Sequence, residues 1–300
     1  MNMIRKEKLF AVLWAVLLAF TSCEKPNFGL FEEEEVVPDG YVRLKFNITH
    51  FEQIPFSSSA SYSRGTTDAS GVCTRINLAI FNEEGKVAAI NQSIDEEKFG
   101  EISVFVPEGD YTAVILAHSC NGNATISKPE EIKFPNNKVT DTFFYCGEVT
   151  ADGDGSIDIQ MRRAVAKFVL ETEDKLPQNV AEVTFKYTGG SSTFDAVKGY
   201  GCVNSRQTEV RTVTEEMRGK PASFEIYTLP HNDTGELKIT VTVADENGNT
   251  LAERNFENVP VKVNQITRYK GDFFGSLTQF GNASIKLKFD ADWTHENYTY

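Results

Sequence analysis

Residues 41–49 read Tyr-Val-Arg-Leu-Lys-Phe-Asn-Ile-Thr. Val42, Leu44, Phe46 and Ile48 fall on one side, and Tyr41, Arg43, Lys45 and Asn47 on the other. An apolar period of two fits a pleated strand with one face against a core, and excludes a helix, whose apolar face recurs every three to four residues. The same alternation recurs downstream. Cys73–Phe81, Lys86–Ile90, Ile102–Val106, Tyr111–His118, Thr142–Gly147 and Ser156–Met161 read as strands, with turn chemistry at Asn82-Glu-Glu-Gly85 and Pro107-Glu-Gly-Asp110. Residues 50–71 are Ser-rich and irregular and read as an exposed loop.

A second set of strands follows the first. Ala164–Glu171, Val180–Thr188, Ala222–Leu229, Leu237–Ala244, Thr250–Phe256, Gln265–Phe274 and Ser284–Phe289 carry strand patterning, and Asp245-Glu-Asn-Gly248 is a hairpin turn with the favoured Asn-Gly pair. The one helical turn expected is Val213–Arg218. Short strands with turn signals at this spacing predict an all-β chain of two tandem β-sandwiches, 41–161 and 162–300, joined by almost no linker at Met161-Arg162-Arg163.

The N-terminus is an address. Arg5, Lys6 and Lys8 precede an unbroken apolar run, Leu9–Phe20. A membrane-crossing helix needs about 20 such residues, so this run has the length of a signal-peptide core. Ala19-Phe-Thr-Ser-Cys23 resembles a bacterial lipobox. Such a signal implies cleavage of residues 1–22 and a Cys23 carrying diacylglycerol and an N-acyl chain such as palmitate, enough for stable anchoring. Phe20 departs from the usual Leu three residues before the Cys. Residues 23–40 read as a tether whose run Glu32–Glu35 extends by self-repulsion.

Over the whole chain Lys and Arg number 30 against 43 Asp and Glu, a formal charge of −13. Cleavage removes three basic residues and only one acidic, taking it to −15. Without a basic surplus, a nucleic-acid partner is not expected. Catalytic signatures are missing: no nucleophile elbow, HExxH or P-loop, and four His in unrelated contexts. We therefore assign no enzymatic activity and no cofactor. Asp152-Gly-Asp154-Gly-Ser-Ile-Asp158 has three carboxylates, but Ile157 and Arg163 stand where a calcium loop needs Gly and Glu, so a polar turn is expected and no metal. With no CxxC pair, Cys73, Cys120, Cys146 and Cys202 are read either as buried thiols or, for Cys120 and Cys146, as a disulfide.

Several segments in order carry a family resemblance: Pro107-Glu-Gly-Asp-Tyr111-Thr-Ala-Val, Met161-Arg-Arg-Ala-Val-Ala166-Lys-Phe, Val259-Pro-Val-Lys-Val-Asn264-Gln-Ile-Thr267-Arg-Tyr-Lys-Gly271-Asp-Phe-Phe and Asp290-Ala-Asp-Trp293. Together with the lipobox they resemble the fimbrillin and fimbrial-anchor lipoproteins of Bacteroidetes, the subunits of type V pili. The resemblance implies two transthyretin-like sandwiches, a place at the outer membrane, other fimbrial subunits as partners, and assembly by β-strand complementation. It also implies proteolytic maturation after an Arg near the first strand, for which Arg43 and Arg64 are the candidates. Anchor subunits escape that cut, and the long acidic tether favours an anchor or accessory role. The working surface would be exposed apolar alternation in Tyr41–Thr49 or Gly281–Phe289.

The rival reading is a surface glycan-binding lipoprotein using Trp293, with Tyr298 and Tyr300, as a stacking platform. Polysaccharide affinity electrophoresis of wild type and Trp293→Ala separates the two. The fimbrial reading predicts no retention of either protein, whereas retention lost in the variant would favour the glycan binder.

Overall fold

The computed structural model describes residues 37–51, 68–275 and 286–288. The alternation at 41–49 becomes β1 (Tyr41–Phe51), with Val42, Leu44, Phe46, Ile48 and Phe51 buried. β2 (Arg75–Asn82) and β3 (Gly85–Ser93) form the hairpin expected around Gly85. β4 (Glu101–Pro107) and β5 (Gly109–His118) flank the Pro107–Asp110 turn, and Tyr111 Oη closes it with a 2.8 Å hydrogen bond to the Pro107 carbonyl. After the short β6 (Thr125–Lys128) and β7 (Glu131–Lys133) come β8 (Thr142–Ala151) and β9 (Gly155–Arg163).

These strands make two facing layers. One has the order β4-β1-β9 and the other β3-β2-β5-β8. Strand pairing joins them at a corner, where Phe143 and Phe144 pair with Arg163 and Arg162. Phe46, Ile76, Ile102, Ile115 and Phe143 fill the space between the layers.

The second sandwich contains β10 (Ala166–Thr172), β11 (Val180–Thr188), β14 (Gln207–Thr212), β15 (Ser223–Thr228), β16 (Thr234–Asp245), β17 (Thr250–Lys262), β18 (Ile266–Gly271) and β19 (Lys286–Lys288). Between β11 and β14 lie the short β12 (Thr193–Asp195) and β13 (Tyr200–Gly201). The layers are β15-β10-β18-β19 and β14-β11-β16-β17, around Phe168, Phe185, Ile226, Val241 and Tyr269. The expected helical turn is present as a 3-10 turn, Glu215–Met217.

The two sandwiches repeat one topology. β1, β2, β3, β4, β5, β8 and β9 correspond in pairing to β10, β11, β14, β15, β16, β17 and β18. In each, the first strand lies inside its layer, antiparallel to one neighbour and parallel to the last strand of the repeat.

A third core joins the repeats. The small sheet β13-β12-β7-β6 takes two strands from each half, with Phe194 opposite Ile132. It covers the outer face of β2 and β5, burying Ala79, Phe81, Val114 and Leu116 with Phe134 and Phe144. This explains the near-continuous apolar run of residues 111–118: Ala113, Ile115 and Ala117 face the sandwich core, and Val114 and Leu116 face the small sheet. The described residues from Pro38 onward belong to one compact unit.

The small sheet needs room and tight turns. At Gly189 (φ +96°) a Cβ would stand 2.1 Å from the Glu236 carbonyl oxygen, so the close approach of the two backbones requires glycine there.

A polar cluster sits under this region. Fully buried His118 accepts the Cys120 N–H at Nδ1, 3.1 Å, and its Nε2 lies 2.8 Å from Asn77 Oδ1, which fixes a neutral ring with the proton on Nε2. Burial first, then nearby Arg75, pushes His118 down to about 4. The unfolded chain takes up that proton near pH 6.5 and the native protein resists it until about 4. Stability is therefore complete above pH ~6.5 and falls by about 3 kcal/mol as the pH drops through this window. Urea unfolding from pH 7 to 4, with NMR titration of the His118 ring, is expected to show this loss and a His118 resonance that stays neutral above pH 5.

Candidate functional site

The first strand is the element on which the predicted assembly chemistry turns. Alternation places Val42, Leu44, Phe46 and Ile48 in the core, and both backbone edges of β1 are used. Tyr41–Asn47 pairs antiparallel with Glu101–Pro107, and Leu44–Phe51 pairs parallel with Gly155–Met161, with one bulge at Thr49. The expectation that Tyr41–Thr49 offers an exposed apolar surface is corrected. Its apolar side chains are inside, and its outward face is polar because water covers that side of the layer.

That outward face is cross-linked to β9. The Arg43 backbone N–H donates to Asp154 Oδ1 at 2.7 Å, and Asn47 Nδ2 donates to Ser156 Oγ at 2.9 Å and Asp158 Oδ1 at 3.0 Å. On the other edge Lys45 pairs with Glu101 at 2.6 Å. Lys45, Asn47, Glu101 and Asp158, with Phe99 and Gly100, line an open cleft of about 510 Å³. Asp154, from the carboxylate-rich turn, is thus engaged with the start of β1.

Arg43 pairs with Phe105 of β4 and immediately precedes the doubly paired stretch Leu44–Asn47, its side chain 41% exposed. Cutting the 43–44 bond requires that strand to open first. Cys23, Arg64 and Trp293 lie outside the described residues, and of Gly281–Phe289 only Lys286–Lys288 is described. Those three residues pair antiparallel with Arg268–Lys270 as β19.

The Cys120–Cys146 pairing is not made. Cys73, Cys120, Cys146 and Cys202 are free thiols, and Cys120 Sγ instead donates to the Lys138 carbonyl at 3.2 Å. Burial raises all four thiols above their ordinary value, Cys73 to about 12, so none is a ready nucleophile. Among the described residues no group of three or more His, Cys, Asp or Glu could hold a metal, and no helix is long and apolar enough to cross a membrane.

The residue that sequence reading passed over is Arg163. It is 4% exposed at the end of β9. Its guanidinium grips Asp141 through two hydrogen bonds of 2.8 and 3.0 Å, donates to Asn264 Oδ1 at 2.9 Å, and lies 4.6 Å over the Phe143 ring. It ties the first repeat to the turn before β18. The signal was present: Ile159, Met161 and Arg163 share one face by the period of two, so the alternation itself carries a charge inward.

Residues 34–300 match the model of a family of unknown function, DUF6562. The chain belongs to this family. No curated protein matches.

Among solved structures, the chain is similar to a candidate adhesin from Bacteroides ovatus (14% identity, TM-score 0.47, covering 73% of this chain and 83% of that one). It is similar to a candidate polysaccharide-binding protein from Bacteroides thetaiotaomicron (9%, TM-score 0.47, 76% and 90%). It is also similar to the fimbrial anchor protein Mfa2 from Porphyromonas gingivalis (11%, TM-score 0.41, 77% and 90%).

Arg163→Ala leaves Asp141 without its partner at a buried joint. The expected loss is about 3 kcal/mol in urea unfolding, with Arg163→Lys recovering only part of it because an ammonium cannot reproduce the bidentate grip.

Proposed function

We propose that this protein is an anchor or accessory subunit of a type V fimbrium, held at the outer membrane by lipid on Cys23 and contributing to cell adhesion. In this reading residues 41–161 and 162–300 are two sandwich modules, and other fimbrial subunits are the partners. The observation that carries the reading is the placement of β1. It fills its own slot between β4 and β9, placing four alternating apolar side chains in the core. A subunit that accepts a neighbour's strand must first lose its own. A chain whose first strand is hydrogen-bonded on both edges is suited to end the filament at the membrane.

The tether fits this role. Glu24–Gly40 supplies 17 residues between the lipid and β1. At about 3.3 Å per residue, that is a reach of roughly 55 Å, enough for the sandwiches to clear the headgroups.

The test is to purify surface filaments and the membrane fraction from the native organism and read the mature N-terminus of this chain by mass spectrometry. A lipidated Cys23 co-purifying with filaments is expected. A start just after Arg43 or Arg64 would make it a polymerising subunit instead, and absence from both fractions would overturn the proposal.

A further inference from the structure

The first strand of each repeat runs parallel to the last, and this has a mechanical consequence. Suppose the chain is pulled from its N-terminal end and from a point beyond β18. The N-terminal end of β1 is drawn one way and the C-terminal end of β9 the other. Because the two strands are parallel, the load runs along the ladder, and its hydrogen bonds share it in shear. In an antiparallel hairpin pulled from its adjacent ends, the bonds instead open one at a time. We propose that the β1–β9 and β10–β18 pairings act as two shear clamps in series, making the chain a load-bearing link between its tether and whatever grips its C-terminal side.

The load path is short and reinforced at each step. In the first clamp Leu44–Phe51 lies against Gly155–Met161, and the Asn47 and Arg43 bonds to Ser156, Asp158 and Asp154 cross the same seam. The two clamps are separated by only Ala164 and Val165, both fully buried. The Ala164 N–H donates to the Thr142 carbonyl and the Val165 carbonyl accepts from Asn264, so the joint is bonded to both repeats.

In the second clamp Lys167–Thr172 lies against Ile266–Gly271. Backbone bonds Lys167 to Gln265 and Glu173 to Gly271 extend it at either end, and Arg268–Glu171 and Lys270–Glu173 ion pairs cross it. The exit is pinned as well. The Asp174 carboxylate accepts the backbone N–H groups of Phe273, Phe274 and Gly275, which returns the strand after β18 to the end of β10. The remaining strands of each sandwich lie off the path.

That a load exists in the cell rests on the fimbrial-anchor reading; that the clamps resist one does not. Single-molecule force spectroscopy on the full chain, with handles clicked to azide residues at pairs of exposed positions, isolates the geometry without altering the fold. Handles at 39 and 162 load the first clamp in shear, and handles at 39 and 272 load both. Handles at 39 and 108 peel β1 from β4 starting at the Tyr41–Pro107 pair. The rupture force for 39/162 and 39/272 is expected to be about twofold or more above that for 39/108. Asn47→Ala should lower the 39/162 force and leave 39/108 unchanged. Equal forces in the three geometries, or an Asn47→Ala effect on 39/108 alone, would overturn the proposal. If the force ratio holds but the chain is absent from filaments, the anchor reading fails and the clamp stands.

Discussion

The structure depends on the insertion of β1 between β4 and β9. Without β1 the strands β4 and β9 are not joined into one layer, and the middle of the cover over β3-β2-β5-β8 is missing. The pairing is long-range: Leu44 meets Gly155 and Phe51 meets Met161, so most of the first repeat must be gathered before the ladder closes. What offsets that closure entropy is apolar burial, since Val42, Leu44, Phe46 and Ile48 all leave water together. The second repeat solves the problem in the same way, with β10 placed between β15 and β18.

Repeating one topology twice would give two modules joined by a flexible link, were it not for the small sheet. β7 and β12 come from insertions at different places in the two repeats, yet they pair, and Phe144 of one repeat meets Phe194 of the other at 4.8 Å in edge-to-face geometry. Lys138 with Glu209 and Gln207 Nε2 with the Asn137 carbonyl add polar ties across the same seam. The Arg163–Asp141–Asn264 group is a further tie between the repeats. Hydrophobic burial supplies the attraction at this joint, and the directional bonds fix its geometry, because a buried guanidinium tolerates few arrangements of its partners.

The strands that were legible in the sequence are those whose alternation faces a sandwich core. β1, β4, β16 and most of their neighbours could be read because one side sees apolar atoms and the other is more exposed to water. The strands that escaped reading are equally instructive. β14 buries Gln207 and Glu209 where a core strand would bury Val or Ile. Those side chains face the polar seam and its lysine and arginine partners, so the hydrophobic pattern is absent although the strand is real. β6, β7, β12 and β13 are two to four residues long, too short for periodicity to register.

The all-β class and the position of most strands and turns could be read from the chain alone, because alternation and turn chemistry are local properties. Only the tertiary structure decided that β1 is an interior strand rather than an exposed one, that the thiols stay apart, and that Arg163 and the small sheet lock two repeats into one unit. These outcomes depend on which backbone edges and which faces meet across more than a hundred residues. A strand pattern records that a side chain will be buried, but not what it will be buried against.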